Sequence, residues 1–203
     1  MPADDLHFTV RPMTPSLQEA WLEFFDHVAF ADNPRWSTCY CQFPTADHQA
    51  VEWKTRRGDE NRASACHRIA SGLQQGVVAV DDAGRIVGWC HAGPRVAVTV
   101  WDEEPADAGP PAAGRLGAIT CFVVAPAWRQ RGVSQALLRG ACEMLSAQGF
   151  EAVQAWAKPG ETSTQANHAG SYTLYQRAGF TTWREDVDGG VLLRKPLADV
   201  PGA

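Results

Sequence analysis

Residues 123–138 read "VVAPAWRQRGVSQALL", in which an apolar run stops at a proline and a helical pattern begins a few residues later. Arg129 and Arg131 stand just before Gly132 in the turn between the two. A strand, a tight turn and a helix N-terminus direct unpaired backbone N–H groups and the positive end of the helix dipole at one place. The stretch therefore predicts an anion-binding turn. It leaves open the alternative of a solvated turn whose arginines face water.

Hydrophobic spacing on both sides of this turn predicts a mixed α/β fold. Val133, Leu137 and Ala141 recur at helical spacing after the turn, and "RLGAITCFVV" before it has the nearly continuous apolar character of a buried strand. The predicted elements are a strand at "HFTVRPM", helices over 16–28 and 61–72, strands at "GVVAV", "RIVGWCHAG" and "RLGAITCFVVAP", the helix after Gly132, a strand at "EAVQAWA", a helix over 171–177, and strands at "FTTW" and "VLLRKPL". This order, β-α-α-β-β-β-α-β-α-β-β, indicates a largely antiparallel sheet.

The length of 203 residues predicts a single domain over 1–203 with its core at about residues 8–195. Residues 94–114 contain "DEEPADAGPPAAG" and are predicted to form an exposed insertion, because Pro, Gly and acidic residues dominate them. Residues 30–55 also lack periodicity, but their aromatic side chains indicate a loop that covers another part of the protein.

Composition and charge exclude several classes of protein. The formal net charge of -5 argues against a broad nucleic-acid-binding face, which needs an excess of Lys and Arg. No run approaches the roughly 18 apolar residues that span a bilayer, and "MPADDLHFTV" has acids where a secretory signal carries positive charge. We therefore expect a cytoplasmic protein with no membrane segment, whose six cysteines are reduced thiols.

Two common phosphate-binding motifs, GxxxxGK[ST] and GxGxxG, are absent from the sequence. What remains is RxxGxS, formed by Arg129, Gly132 and Ser134, directly after the strand end at 124–126, "VAP". This stretch resembles motif A of the GNAT superfamily of acyl-CoA-dependent N-acyltransferases, whose pattern is [QR]xxGx[GA] after a V-x-P strand end. Ser134 departs from the Gly/Ala preference of that motif.

A second stretch supports the resemblance. Residues 174–180, "LYQRAGF", resemble the closing "fYeklGF" motif of the same family, and "VRPMT" resembles its opening strand. The resemblance covers about residues 8–195 and implies the GNAT fold, a mixed, mostly antiparallel sheet whose central strands splay apart between flanking helices. It also implies transfer of an acetyl or short acyl group from acetyl-CoA to a primary amine of a small molecule or peptide. A homodimer is a further expectation for this family.

The resemblance also implies which residues hold the cosubstrate. The backbone of Phe122 and Val124 would bond the pantetheine amides, and the amides from Arg129 through Ser134 would hold the pyrophosphate. Asn167 resembles the family asparagine, although it sits one residue off the usual spacing. The implied cofactor-binding residues are thus Phe122, Val124, Arg129, Arg131, Gly132, Val133, Ser134 and Asn167.

Acyl transfer to an amine requires two proton movements. The ammonium must lose a proton before attack, and the leaving thiolate is best protonated as it departs. Tyr175 occupies the family's tyrosine position and is implied to be the general acid. No general base is evident, so His91, His168, Glu103, Glu104 and a water relay all remain open.

The cysteines suggest two further chemistries. "CYC" at 39–41, with His48 and the pair Cys66-His67, invites a zinc site, but CxC with scattered histidines is not specific metal-ligand spacing, and no metal is predicted. Cys121 lies beside the expected thioester position and could serve as a nucleophile. An apolar strand raises the pKa of a thiol, which favours a packing role.

The acceptor is the least determined part of the prediction. Trp36, Tyr40 and Phe43, together with Trp101, either wall the acceptor pocket or form a local hydrophobic core under the long loop. The acidic balance and the acidic insertion favour a cationic acceptor such as a polyamine or an aminoglycoside. A CoA-binding regulatory or accessory protein that has lost turnover is the alternative function.

Overall fold

One β-sheet organises the chain in a computed structural model that describes residues 7–101, 115–163, 166–186 and 188–197. The strands are β1 (Phe8–Pro12), β2 (Gly76–Asp81), β3 (Ile86–Pro94), β4 (Leu116–Val124), β5 (Ala152–Ala157), β6 (Thr181–Glu185) and β7 (Val191–Pro196). The α-helices are α1 (Gln18–Glu23), α2 (Gly58–Ala70), α3 (Val133–Ala147) and α4 (Tyr172–Arg177). The predicted element order and the mixed α/β fold are confirmed.

The strand order places β4 at the centre of the sheet. The strands lie in the order β1-β2-β3-β4-β5-β7-β6, and every neighbouring pair is antiparallel except the parallel pair β4 and β5. Short 3-10 turns connect the larger elements at Pro15–Leu17, Pro34–Trp36, Phe43–Thr45, Trp53–Thr55, Arg95–Ala97, Pro126–Trp128 and Ala166–Ala169. No helix among the described residues is both long and apolar enough to cross a bilayer.

Helices cover both faces of the sheet, as two adjacent residues of β3 show. A Cβ atom on Gly88 would lie 2.9 Å from Val133 Cγ1, so glycine at this position lets α3 approach the strand closely. The next residue, Trp89, points to the opposite face, where its ring centroid lies 5.6 Å from that of Trp21 in α1. Because side chains alternate along a strand, α3 and α1 pack on opposite faces.

The first helix differs from its prediction in the last turn. After α1, residues Phe24–Val28 form a π-helical turn, in which the Ala29 N–H donates to the Phe24 carbonyl over 2.8 Å. A π turn adds a residue to the helical repeat and rotates the later side chains. Val28, which would lie on the buried face if the helical spacing of Trp21 and Phe24 continued, is therefore 37% exposed, whereas Ala29 is 0% exposed.

The central strands splay apart, as the resemblance implies. β4 pairs with β5 only from Leu116 opposite Ala152 to Ile119 opposite Ala155, although β4 continues to Val124. On its other side β4 stays paired with β3, with a bulge at Thr120 where the register shifts. The backbone of β4 beyond Ile119 therefore faces an opening instead of a neighbouring strand.

The predicted insertion at 94–114 is only partly exposed where the structure describes it. Arg95 and Val98 are buried, and the Thr99 N–H donates to the Pro44 carbonyl over 2.9 Å. The first residues after β3 thus pack against the long loop, and this corrects the expectation of an exposed connection for them. Residues 102–114, including Glu103 and Glu104, lie outside the described part of the chain.

His91 predicts a pH dependence of stability. It is buried next to the β4 bulge, where its Nδ1 lies 2.7 Å from the Thr120 Oγ1, and burial lowers its pKa to about 4. The unfolded chain takes up a proton below about pH 6.5, whereas the folded chain resists protonation until about pH 4. We expect the free energy of unfolding to fall by about 3 kcal/mol between pH 7.5 and pH 4 from this group alone.

Urea unfolding of the parent protein and of His91→Gln at several pH values checks this expectation. The variant has no imidazole at position 91, so its free energy of unfolding should fall less than that of the parent between pH 6.5 and pH 4. The difference in stability between the two proteins should therefore shrink as the pH falls. Parallel curves over this range would contradict the assignment.

Candidate active site

A cleft of about 1190 Å³ opens where β4 and β5 diverge. Its walls come from the end of β4, the turn 129–134, residues 162–163 and 167–174, and residues 30–56, which we call the covering segment. The covering segment also reaches the core, where the Tyr40 ring stacks 5.9 Å from that of Phe25. The predicted covering role of this loop therefore agrees with its position.

The end of β4 presents backbone groups to the cleft. The Ala125 N–H donates to the Val87 carbonyl over 3.0 Å, so this residue forms a hydrogen-bonded pair with the β3 side. Because amide directions alternate along an antiparallel pair, the amide groups of Phe122 and Val124 point away from β3 and into the opening. The Val124 carbonyl accepts a hydrogen bond from Arg129 Nε over 3.1 Å, which agrees with that direction.

The turn before α3 gathers unpaired N–H groups at the edge of the same cleft. Gln130 and Gly132 have positive φ angles of 60° and 80°, an arrangement that curls successive N–H groups toward one side. The first intrahelical bond runs from the Ala136 N–H to the Gly132 carbonyl over 3.0 Å. The N–H groups of Val133 and Ser134 therefore have no acceptor within the helix, and they suit an anion.

The two arginines of the turn differ in their surroundings. Arg129 donates through both terminal nitrogens to the Asp32 carboxylate, and this guanidinium holds the pKa of Asp32 below its usual range. Arg131 Nε donates to the Ala127 carbonyl over 3.1 Å, and Arg131 is exposed and absent from the cleft lining. The charge of Arg129 is thus already paired, which the sequence did not indicate.

Tyr175 lies one layer behind the cleft surface. It is 0% exposed, its ring centroid lies 6.3 Å from that of the cleft residue Phe122, and its hydroxyl donates to the Ala169 carbonyl over 2.5 Å. Burial raises the pKa of Tyr175 well above its usual range, so the phenol keeps its proton at neutral pH. The acid role remains a prediction, and it requires the phenol to reach the cleft past Gly170, where an added Cβ would lie 2.7 Å from the Tyr175 ring.

Asn167 lines the cleft and also braces the turn that precedes α4. Its Nδ2 donates to the Glu161 carbonyl over 3.0 Å, and its carbonyl accepts from the Gly170 N–H over 2.9 Å. These bonds fix the backbone between β5 and α4 beside the opening. A contact between Asn167 and the cosubstrate stays a prediction.

The candidates for a general base are separated by their positions. His91 is buried behind β4 and is absent from the cleft lining, so the structure removes it from the reacting groups. His168 is exposed and lines the cleft. Glu103 and Glu104 lie outside the described residues.

Three cysteines meet in the cleft, which the sequence alone did not predict. Cys39, Cys41 and Cys121 all line it, and the Cys121 thiol is close enough to that of Cys41 to influence its pKa. Burial raises the pKa of Cys39 to about 11 and that of Cys41 well above its usual range, so both remain thiols at neutral pH. Among the residues that the structure covers, no three His, Cys, Asp or Glu side chains cluster as a metal ion would need.

The four aromatic residues expected at the acceptor pocket divide between the two alternatives. Trp36 and Phe43 line the cleft and are 42% and 38% exposed. Tyr40 is buried, and its hydroxyl donates to Asp26 over 2.6 Å. Trp101 lies 5.2 Å from the Arg95 guanidinium and is absent from the cleft lining. The cleft also contains Trp53, whose ring lies 5.1 Å from that of Phe43.

The splayed sheet and the turn of unpaired N–H groups at the edge of its cleft agree with the class of acyl-CoA-dependent acyltransferases that the sequence motifs resemble. The chain belongs to the GNAT acetyltransferase family, because the sequence model of that family matches residues 30–180, which is more than half of the chain. Acetyl-CoA is the cosubstrate of this family. A comparison with curated proteins finds no match in sequence.

Solved structures with the same fold agree with this assignment. A GCN5-related N-acetyltransferase from Kribbella flavida is 22% identical with a TM-score of 0.54, covering 94% of this chain and 98% of its own. A putative acetyltransferase from Acinetobacter baylyi is 13% identical with a TM-score of 0.60, and the match covers 99% of this chain and 98% of the other. The PaiA N-acetyltransferase from Thermoplasma acidophilum, solved in complex with coenzyme A, is 11% identical with a TM-score of 0.54. The match covers 94% of this chain and 99% of the other. At these identities the similarity concerns the fold.

Proposed function

We propose that the chain transfers an acetyl or short acyl group from acetyl-CoA to a primary amine by direct attack of the amine on the thioester. One observation carries this proposal. The outward-facing amides of Phe122 and Val124 and the unpaired N–H groups at the start of α3 open into one cleft. A ligand with an amide-containing arm and a pyrophosphate matches both features.

The chain supplies two kinds of contact to the cosubstrate. Phe122 and Val124 bond the pantetheine amides through their backbone, as an added strand would, while their side chains stay partly buried. The amides from Arg129 through Ser134 hold the pyrophosphate at the helix N-terminus. The acetylated cosubstrate supplies an activated thioester when it is bound.

Proton transfer completes the reaction. The nitrogen of the acceptor forms the new C–N bond as the C–S bond breaks, and the nitrogen proton leaves to His168 or to water. We propose that Tyr175 protonates the departing thiolate, because its high pKa keeps the phenol protonated at neutral pH. Asn167 holds the turn before α4 in place and contacts the cosubstrate.

An assay of free CoA tests the proposal. The protein is incubated with acetyl-CoA and a panel of primary amines, including amino acids, spermidine and a short peptide, and free thiol is measured with a chromogenic disulfide. We expect amine-dependent thiol release. Calorimetry with acetyl-CoA runs in parallel, and tight binding with no release across the panel would favour a CoA-binding regulatory protein over an enzyme.

A further inference from the structure

The covering segment is attached to the cleft at two points that fix its direction. Asp32 pairs with Arg129 at the turn before α3, and the free thiol of Cys41 lies beside that of Cys121 near the β4 bulge. Along β4 the chain runs from Cys121 toward that turn, so the covering segment runs the opposite way. After Cys41 the segment passes the start of β4, because the Thr99 N–H, shortly after the end of β3 that pairs with Gly117, donates to the Pro44 carbonyl over 2.9 Å. The Trp53 ring lies 5.1 Å from that of Phe43, so the segment returns to the same part of the cleft.

Two cations that follow Trp53 in the covering segment line the cleft. They are Lys54 and Arg56. Arg56 Nε donates to the Oδ1 of Asn61, a buried residue of α2 whose own Nδ2 donates to the Thr38 carbonyl over 2.9 Å. The Arg56 guanidinium is thus held in place, and neither cation forms an ion pair with a described residue.

Counter-charges are scarce in the cleft. Among the described residues, Asp32 is the only carboxylate in the lining, and Arg129 already neutralises it. A polyamine that entered beside Lys54 and Arg56 would meet two like charges and no partner from the described lining. An anionic group there would meet the exposed Lys54 and the partly buried Arg56, with which it could form charge-assisted hydrogen bonds.

We infer that the acceptor is an amine that also carries a carboxylate or a phosphate, and that Lys54 and Arg56 bind this anionic group. The inference rests on the proposed function and names its substrate class. Arg56 offers a planar fork of donors, Lys54 adds a mobile point charge, and the rings of Phe43 and Trp53 provide an apolar surface beside them. This replaces the cationic acceptor that the acidic composition of the chain favoured.

Matched pairs of acceptors test the inference by CoA release. Phenylalanine is compared with phenylalanine amide, and O-phosphoethanolamine with ethanolamine, with spermidine as the polycation. We expect kcat/KM to be about tenfold higher for at least one anionic member than for its uncharged partner, since one charge-assisted hydrogen bond contributes on this order. The pair with the larger ratio distinguishes a carboxylate from a phosphate.

Variants connect the preference to the two cations. Lys54→Gln and Arg56→Gln should each raise KM for the preferred anionic acceptor about tenfold. Each should also reduce the ratio of kcat/KM between that acceptor and its uncharged partner. Arg57→Gln is the matched control, because Arg57 is adjacent, pairs with Asp59 and lies outside the cleft lining. Equal or better turnover of the uncharged partners and spermidine overturns the inference.

A binding measurement keeps the inference testable without turnover. Calorimetry compares N-acetylphenylalanine with its amide, and N-acetyl-O-phosphoethanolamine with N-acetylethanolamine, in the CoA-bound protein. We expect about tenfold tighter binding of an anionic ligand, lost in the Lys54→Gln/Arg56→Gln double variant. Equal affinities, or no binding of either anionic ligand, overturn the inference, whereas failure of the proposed function shows separately as acetyl-CoA binding with no thiol release for any amine.

Discussion

Replacing Gly132 by valine is expected to weaken acetyl-CoA binding about 100-fold, equivalent to about 2.7 kcal/mol. Gly132 has a φ of 80°, which costs a β-branched residue about 1–2 kcal/mol. Relief of that strain would rotate the N–H groups of Val133 and Ser134 away from the pyrophosphate. The new side chain would also stand where the backbone has to approach the ligand.

Gly149→Val provides a matched control for this experiment. Gly149 has a φ of 85°, and an added Cβ at either glycine meets nothing within 4 Å, but Gly149 follows the opposite end of α3. Both variants should lose similar stability in urea unfolding. Calorimetry with acetyl-CoA should show the loss of affinity only for Gly132→Val, and equal affinity in the two variants would refute the pyrophosphate-binding role of the turn.

Tyr175→Phe is expected to lower kcat about 100-fold while the Kd for acetyl-CoA changes less than about twofold. The lost hydroxyl is the proposed proton donor to the thiolate, whereas the proposed contacts to the pantetheine and the pyrophosphate come from other residues. Loss of the buried hydrogen bond to the Ala169 carbonyl should cost about 1 kcal/mol of stability in addition. Steady-state kinetics at saturating substrates, together with calorimetry, measure the two effects.

Tyr40→Phe is the control that separates chemistry from stability. Tyr40 is also buried and also donates through its hydroxyl, in this case to Asp26, but it lies outside the cleft lining. It should lose stability and retain kcat. If Tyr175→Phe behaves in the same way, Tyr175 is a structural residue and the proton reaches the thiolate from another donor.

The elements with a regular pattern could be predicted from the sequence. α3 shows its buried face at Val133, Leu137 and Ala141, and the order of strands and helices follows from similarly local patterns. The π turn after α1 could not be predicted, because one shifted hydrogen bond moved the buried position from Val28 to Ala29. Such a shift depends on tertiary packing and leaves no mark in the periodicity.

The candidate site was predictable only on the cosubstrate side. The motif around Gly132 marks the turn proposed to bind the pyrophosphate, because the backbone conformation of a turn is set locally. The covering segment has no periodicity, and contacts distant in sequence set its position, such as that between Asp32 and Arg129. The pairing of Arg129 and the cations at Lys54 and Arg56 therefore became visible only in three dimensions.

The attachment of the covering segment to both parts of the cleft has a consequence for exchange between related enzymes. Asp32 pairs with the turn proposed to hold the donor, and Arg56 lines the cleft where the acceptor is proposed to bind, within one uninterrupted length of chain. Replacing the covering segment by that of a related enzyme would transfer the acceptor preference of the relative, but it would also replace the partner of Arg129. Such chimeras should therefore accept new acceptors but bind acetyl-CoA more weakly, unless residue 32 is kept as aspartate.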